Sequence, residues 1–242
     1  MNTSIDVYSS ATTFTEDEVR DRTVVVIDVL RTSSTIQTAL ENGAQGVIPV
    51  SDKEDVGKYT RHLDSSGFLL CGEKDGKKAE GFHLGNSPLE YKPEIVMNKT
   101  LIFKTTNGTR AIARSNHATE ILIGSFLNLS ALVDYLSSNH INDIMLICSG
   151  WKSRLSLEDM LCAGAVTYHL FDKKLPDDAM DGVKVAYGLY EKFGKQISKL
   201  VGSSNNASRL RDLGYDEDIQ YCCNVDCFDS IPSMNGGLIT IR

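Results

Sequence analysis

The chain has 242 residues, of which 41% are hydrophobic and 24% charged, a composition typical of a globular protein with a sizeable core. The formal net charge of −7 argues against a nucleic-acid surface but not against a small anion held by local cations. No run of 18 apolar residues predicts a membrane span, and the first residues lack the basic and apolar regions of a signal peptide. We therefore expect a cytoplasmic protein without nucleic-acid or membrane partners. The six cysteines fit neither a CxxC pair nor a spaced His/Cys zinc pattern, and several lie in apolar runs, which favours reduced core residues.

A short strand is predicted at residues 5–8, but the strongest local pattern is VVVIDVLRTSST at residues 24–35. Its continuous apolar run ends in Asp28 and predicts a strand buried on both faces, then a turn that carries Arg31, then a helix. Backbone N–H groups and the helix dipole attract anions at a helix start, and ligands of open α/β sheets bind at the carboxyl ends of strands. The hydroxyl groups at this helix start belong to Thr32, Ser33 and Ser34.

The next segments predict strands at 46–50 and 68–72, with a helix that begins at 51–54 between them. Glu73 follows the second strand, so a second acid would lie at the carboxyl end of a strand. Glycines and a proline in residues 73–91 predict a long loop, and long loops in compact domains are often functional. The polar side chains offered near the end of this loop are Asn86 and Ser87.

The strand, polar turn and helix pattern occurs twice more, after predicted strands at 101–103 and 144–148, with another strand and helix over 120–138 between them. Two acids, Glu158 and Asp159, begin the helix after the third turn, although Asp159 also has the spacing of a capping box with Ser156. The second and third turns offer polar side chains or glycine backbone N–H groups to a ligand. The residues concerned are Lys104, Thr105, Thr106, Asn107, Gly108, Thr109, Arg110, Ser149, Gly150, Lys152 and Arg154. Glycine in the second turn would allow a positive φ or a close backbone approach to a ligand.

The rest of the chain predicts one long helix over 177–200, a short helix over 207–213, and strands at 219–223 and 238–241. The alternation of strands and helices predicts a three-layer α/β fold, with a mixed, mainly parallel sheet and helices on both faces. We expect a single functional unit, with a division into two α/β subdomains near residue 125 left open. The three polar turns should converge on one cleft.

A resemblance to the 2-phosphosulfolactate phosphatase family is carried, in the family's order, by IDVLRTSSTIQTAL, GFHLGNSPLE, TTNGTRA, SLEDMLCAGA and SRLRDLGYDEDIQYCCNVD. It implies a magnesium-dependent phosphoric monoester hydrolase that converts 2-phospho-3-sulfolactate to 3-sulfolactate and phosphate. In methanogens this step belongs to coenzyme M biosynthesis. One departure is His83, where the family usually has the aspartate of GFDLGNSP, and it leaves room for a different phosphate ester.

The chemistry of the residues agrees with this expectation. Phosphate monoester hydrolysis needs rate gains up to about 10²¹, and three helix starts supply only a few kcal/mol, so we expect Mg²⁺ as cofactor. The predicted metal ligands are Asp28, Glu73, Glu158 and Asp159. The predicted catalytic residues are Asp28, Glu73, Glu158 and Arg31. The predicted substrate-binding residues are Thr32, Ser33, Ser34, Asn86, Ser87, Lys104, Thr105, Thr106, Asn107, Gly108, Thr109, Arg110, Ser149, Gly150 and Arg154.

Several alternatives stay open at this point. The DxDxT motif of aspartyl-phosphate phosphatases lacks its second acid here, and Arg154 lies one position too far from Cys148 for a Cys-x₅-Arg loop. We therefore prefer direct attack by a metal-activated water over a covalent aspartyl intermediate. The substrate could be another phosphorylated hydroxy acid, or the chain could be a non-catalytic protein that binds small phosphates or sulfonates. A homodimer is also left open.

Overall fold

A computed structural model describes residues 4–50 and 67–242, so the predicted helix at 51–54 lies outside the described residues. The strands there are β1 (Ser4–Tyr8), β2 (Thr23–Ile27), β3 (Gly46–Pro49), β4 (Phe68–Lys74), β5 (Lys77–Lys78), β6 (Thr100–Lys104), β7 (Glu120–Gly124), β8 (Asp143–Cys148), β9 (Pro232–Asn235) and β10 (Leu238–Ile241). The α-helices are α1 (Thr32–Glu41), α2 (Pro93–Val96), α3 (Gly108–Arg114), α4 (Leu129–Ser138), α5 (Leu157–Leu170), α6 (Asp181–Phe193), α7 (Ile197–Gly202), α8 (Asn205–Asp212) and α9 (Asp216–Cys222). No helix within these residues is long and apolar enough to cross a membrane.

The ten described strands form one sheet in the order β1-β8-β2-β7-β9-β10-β3-β6-β4-β5. Two parallel sections, β1-β8-β2-β7 and β3-β6-β4, are joined by the antiparallel strands β9 and β10. Three successive antiparallel pairings separate β7 from β3, so the two sections run in opposite directions.

The carboxyl ends of β2 and β6 nevertheless meet. The residues that join them are Thr32, which opens α1, and Thr105, which follows β6, with their hydroxyl oxygens 3.3 Å apart. A flat, untwisted sheet would hold these ends at opposite edges, so the sheet is not flat, and α1 packs against β3, β7, β9 and β10. Residues 32–40 of α1 are all buried as a result.

Both faces of the sheet are buried, which confirms the predicted three-layer α/β fold. In β2, Val25 and Ile27 face a core shared with the long helices α4, α5 and α6. The alternate residues Val24 and Val26 face a second core with α1 and α3. This explains the continuous apolar run of β2, since a strand covered on both faces has no solvent-facing positions. All six cysteines are free thiols, and five are buried.

The single helix predicted over 177–200 is wrong. Helix α6 ends at Phe193, a 3₁₀ turn covers Gly194–Gln196, and α7 begins at Ile197. At Gly194 a β-carbon would lie 3.0 Å from the Tyr190 ring. The ring of Tyr190 therefore packs against the break at a position where glycine has no side chain. The apolar periodicity continues across the break because α6 and α7 both pack on the same core.

The strand predicted at 219–223 is also wrong, because this segment belongs to α9. Three acids in its first turn, Asp216, Glu217 and Asp218, favour a helix start. Ile219 and Cys222, three residues apart, are both buried on the same face.

Strand β9 was not predicted. It forms a hairpin with β10 across Gly236 and Gly237, whose φ angles of 56° and 87° are characteristic of a tight hairpin turn. This hairpin joins the two parallel sections of the sheet. The division into subdomains near residue 125 stays a prediction.

Candidate active site

A cavity of about 220 Å³ opens where the three polar turns meet. Its walls include Asp28 and Arg31 from the first turn, Thr105 to Asn107 from the second, and Trp151 and Lys152 from the third. This confirms the predicted convergence of the turns on one cleft. Its other lining residues are Leu30, Thr32, Glu73, Asp75, Gly76, Asn86, Asn206, Arg209 and Leu210.

Asp28 is the buried carboxyl group of this cavity, with 7% of its surface exposed. The first turn of α1 holds it, because the backbone N–H of Thr32 donates to Asp28 Oδ1 at 3.4 Å and Ser33 Oγ accepts from the Asp28 N–H at 2.9 Å. Burial raises the pKa of Asp28 to about 6, hydrogen bonds from Thr32 oppose that rise, and the negative charges of Glu158 and Glu73 add to it. A pKa in this range keeps the group ionised at neutral pH while leaving it a usable base.

Asp159 ties the first turn to the third. Its Oδ1 accepts the N–H of Val29 at 2.9 Å, and its Oδ2 accepts the N–H of Gly150 at 3.2 Å. Burial, followed by the charges of Asp28 and Glu158, raises the pKa of Asp159 well above its ordinary value. Ser156 Oγ also accepts the N–H of Asp159, so half of the predicted capping box is formed. The carboxyl group thus has a clear role in fixing the loops.

Glu158 is 1% exposed and lies behind the cavity, in the wall of a neighbouring cavity of about 190 Å³ that shares Trp151 and Asn206 with the first. Its Oε1 accepts a hydrogen bond from Asn206 Nδ2 at 3.0 Å, while Oε2 is buried with no partner among the described residues. The same amide nitrogen donates to the carbonyl of Leu30, which connects Glu158 to the first turn. An unpartnered buried carboxylate oxygen is costly unless a cation or donor reaches it.

Glu73 lies in β4, one residue before its end, and holds two loops. Its Oε1 accepts from the N–H and hydroxyl of Thr106 at 2.8 and 2.7 Å, and its Oε2 accepts from the N–H of Gly76 at 2.6 Å. Both oxygens therefore have donors already.

Arg31 is a buried cation in the cavity wall, 2% exposed. Its Nη1 donates to Asp218 Oδ2 at 2.6 Å, its Nη2 donates to the carbonyl of Gly76 at 2.7 Å, and its guanidinium lies 4.2 Å from the ring centre of Tyr215. The other oxygen of Asp218 accepts from Ser87 Oγ at 2.6 Å. These contacts hold Arg31 rigidly. Because a guanidinium carries five N–H donors, it still has donors left for an anion.

Most of the predicted hydroxyl groups hold the frame of the site. Ser34 donates to the carbonyl of Val29, and Thr109 donates to the carbonyl of Thr105 and accepts from its N–H. Two buried polar atoms near the site, Asn86 Oδ1 and Ser149 Oγ, have no partner among the described residues.

Three of the predicted cations do not line the cavity. Arg110 and Arg154 are exposed and Lys104 is half-buried, and the cavity-lining residues do not include these three side chains. Their substrate-binding roles stay predictions.

Glycine is needed at position 108 because the residue packs closely against α1, and not because its φ angle is positive. Its φ is not among the positive values of the described glycines, and a β-carbon at this position would lie 2.5 Å from Thr32 Cβ. The glycine is therefore required by the close approach of the second turn to the first.

His83 is exposed and is not among the residues that line the cavity. Its Nδ1 accepts the N–H of Leu70 at 2.9 Å. The departure from the family pattern therefore falls on a residue that supports the long loop and not on the cavity lining.

Three functional residues were missed by sequence reasoning, namely Asn206 and Arg209 on α8 and Asp218 on α9. The signal available was SNNASRL, where Ser204 caps α8 by accepting the N–H of Ala207 at 3.1 Å. Asn206 and Arg209 are three residues apart and share one helix face.

The acids around the cavity differ in how well they suit Mg²⁺. No three Asp, Glu, His or Cys side chains within residues 4–50 and 67–242 are arranged as a complete metal site. Mg²⁺ commonly uses only one or two carboxylates, with waters and substrate phosphates as further ligands. Asp28 and Glu158 are acids with oxygens open to a cation, since Asp28 faces the cavity and Glu158 Oε2 is unpartnered in the neighbouring cavity, whereas the oxygens of Glu73 and Asp159 already accept N–H bonds.

Known proteins resemble this chain over nearly its whole length. The model of the 2-phosphosulpholactate phosphatase family matches residues 8–237. A protein of Caldanaerobacter subterraneus subsp. tengcongensis is 40% identical over 236 residues, which cover 97% of each chain. A protein of Thermotoga maritima is 43% identical over 224 residues, 93% of this chain and 94% of the other. A protein of Clostridium acetobutylicum is 37% identical over 235 residues, 97% and 99% of the two chains.

Each of these three relatives is named probable 2-phosphosulfolactate phosphatase. The match covers the strand, turn and helix elements that build the cavity. The resemblance drawn from the sequence is therefore confirmed, and the chain belongs to the 2-phosphosulpholactate phosphatase family.

Proposed function

We propose that this protein is a magnesium-dependent phosphatase that hydrolyses 2-phospho-3-sulfolactate to 3-sulfolactate and phosphate. The observation that carries the proposal is the cavity itself, in which the buried carboxyl of Asp28 lies in one pocket with Arg31, Lys152 and Arg209. Family membership supplies the substrate class.

The acids of the site support a cation. Asp28, Asp159 and Glu158 are each at most 7% exposed, and the described residues give none of the three an ion pair. Asp28 and Glu158 are the residues that would hold Mg²⁺. When bound, the ion would offset the charge of the phosphoryl group and make a nearby water more acidic.

Arg31 and the first turn of α1 would bind the phosphoryl group. The guanidinium is fixed by Asp218 and Gly76, so its remaining N–H donors are oriented before the substrate arrives. Preorganised donors of this kind stabilise charge that develops in a transition state. The N–H groups at the start of α1 add a favourable dipole.

The reaction needs one water to replace the ester oxygen at phosphorus. The water's proton passes to a base, and the alkoxide of 3-sulfolactate takes up a proton as it leaves. Asp28 faces the cavity and can accept this proton directly or through a second water. A non-catalytic anion-binding protein would gain nothing from burying these acids beside its ligand, so the carboxylates favour an enzyme.

A substrate panel tests the proposal. Phosphate release would be measured from 2-phospho-3-sulfolactate, 2-phospholactate and p-nitrophenyl phosphate, with Mg²⁺ and with EDTA. We expect the highest kcat/KM on the sulfonated ester, loss of activity in EDTA, and recovery on adding Mg²⁺. Equal or better turnover of 2-phospholactate would indicate another hydroxy acid as substrate, and no release from any ester would contradict a phosphatase.

A further inference from the structure

The cavity holds a cation that the steps above do not use. Arg209 is half-buried on α8 and lines the cavity, and its side chain makes no hydrogen bond or ion pair with any described residue. A half-buried guanidinium without a counter-ion has lost part of its hydration without replacing it, so an anion brought to it is stabilised.

The position of Arg209 is set by its helix. Ser204 caps α8, and Asn206 on the same face donates to the carbonyl of Leu30 and to Glu158 Oε1. Arg209 lies three residues beyond Asn206, so the contacts that join α8 to the catalytic turn also aim Arg209 at the cavity. Arg211 points away from the cavity, because it pairs with Asp216 at 3.1 Å and donates to the carbonyl of Gly202.

Arg209 and Arg31 are adjacent through Gly76. Arg31 Nη2 donates to the carbonyl of Gly76, and a β-carbon placed on Gly76 would lie 2.8 Å from Arg209 Nη2. The absence of a side chain at Gly76 therefore leaves room for both guanidinium groups. Asp218 neutralises Arg31, while no described acid lies within 4.0 Å of Arg209.

The proposed substrate carries three acid groups, of which only the phosphoryl group reacts. Arg31 and the start of α1 lie beside Asp28, where that group must be placed. Arg209 lies next to Arg31 on a different element of the wall, α8, and has no described counter-ion, so its charge is available to an acid group that is not transferred. A guanidinium fork binds two oxygens of a carboxylate or sulfonate equally well.

We propose that Arg209 is a specificity-determining residue that binds the non-transferred acid group of the substrate, an inference that rests on the proposed function above. The group is an acid oxyanion that flanks the ester-bearing carbon. The sulfonate and the carboxylate are its two sources, and two small ligands separate them.

The test is isothermal titration calorimetry in the presence of Mg²⁺ with three ligands: 3-sulfolactate, isethionate, which lacks the carboxylate, and lactate, which lacks the sulfonate. The proteins are wild type, Arg209→Ala, Arg209→Lys, and the control Arg211→Ala on the same helix. Thermal unfolding of each variant shows that it is folded, and Arg209→Lys retains the charge if the alanine variant is unstable.

We expect Arg209→Ala to raise the Kd of 3-sulfolactate about 10- to 100-fold, the range for the loss of one charge-assisted contact. Arg209→Lys should be intermediate and Arg211→Ala unchanged. If Arg209→Ala loses the same affinity for isethionate and none for lactate, Arg209 binds the sulfonate. If it loses affinity for lactate and none for isethionate, Arg209 binds the carboxylate.

Unchanged binding of 3-sulfolactate by Arg209→Ala, an equal loss in Arg211→Ala, or no binding by wild type would overturn the inference. Phosphate release by the wild type is measured separately. If the wild type releases phosphate but Arg209→Ala binds 3-sulfolactate as tightly as the wild type, only the inference about Arg209 is refuted. If Arg209→Ala loses binding but the wild type releases no phosphate, the proposed phosphatase activity is refuted.

Discussion

Asp28 is held in surroundings that oppose its charge, and this has a consequence for stability. Its pKa is raised by burial, then by Glu158 and Glu73, to about 6 from 3.8. A carboxyl group with a raised folded-state pKa binds more protons folded than unfolded, so its charge destabilises the protein above pH 6 and that penalty disappears as pH falls toward 4. Catalytic sites often carry such strain.

Asp28→Asn should therefore stabilise the magnesium-free protein at pH 7. One pKa unit corresponds to about 1.4 kcal/mol, so the gain in unfolding free energy is expected to be roughly 2–3 kcal/mol. Urea unfolding in EDTA at pH 7, 6 and 4.5 measures it. The difference between wild type and variant should shrink toward zero at the lowest pH, and a difference that grows on acidification would contradict the assigned cause.

Asp218 is a positioning residue for Arg31, and its removal leaves a buried guanidinium without a counter-ion. Asp218→Asn is expected to cost about 3–5 kcal/mol of stability, as for other broken buried ion pairs, and to lower kcat. The matched control is Asp216→Asn on the same helix, whose partner Arg211 is exposed. Its cost should stay within about 1 kcal/mol. Equal effects of the two substitutions on Tm and kcat would remove Asp218 from the site.

At the scale of elements, the approach of α3 to α1 depends on Gly108. A β-carbon there would lie 2.5 Å from the Thr32 side chain, so Gly108→Ala must push apart the two turns that bound the cavity. We expect a loss of about 1–3 kcal/mol in urea unfolding, together with a lower kcat/KM.

The control for this substitution is Gly188→Ala in α6, where no atom lies within 4 Å of the new β-carbon. Alanine in a helix interior is favoured over glycine by roughly 0.8–1 kcal/mol, so this variant should gain stability and keep its activity. A neutral Gly108→Ala would show that the helices have room to move.

Elements built from neighbouring residues were predictable, and long-range contacts were not. The strand ending at Ile27, the acid Asp28 and the helix start at Thr32 follow from a local pattern of apolar, acidic and hydroxyl residues. The Arg31–Asp218 pair joins positions 187 residues apart, and no local pattern indicates which acid meets which cation. Helix α9 was wrongly predicted as a strand because a segment as short as residues 219–223, mostly apolar, fits a strand as well as a helix.

At the scale of the whole molecule, the ends of two oppositely directed parallel sections of the sheet meet at one cavity. The two turns that touch there follow β2 and β6, and α1 packs against strands of both sections. Ligand binding between the two sections should therefore stabilise the whole fold and not one element alone.

Magnesium binding gives a readout of this coupling that does not depend on activity. A ligand at 100 times its Kd adds about 2.7 kcal/mol of stability, which for a protein of this size raises Tm by roughly 5–10 °C. Scanning calorimetry of wild type with Mg²⁺ and with EDTA should show this rise, and Glu158→Gln should reduce it. An identical rise in Glu158→Gln would exclude Glu158 as a ligand.

The central proposal is that phosphate ester hydrolysis takes place in the cavity around Asp28. The most direct measurement is kcat for phosphate release from 2-phospho-3-sulfolactate, in saturating Mg²⁺, by Asp28→Asn and by Asp134→Asn. Asp134 is an exposed acid on α4 without a hydrogen bond or ion pair to the described residues, so it controls for the loss of one carboxylate. We predict no detectable turnover by Asp28→Asn, a folded protein with normal or raised Tm, and wild-type kcat for Asp134→Asn. Wild-type turnover by Asp28→Asn would place the chemistry elsewhere in the molecule and contradict the account.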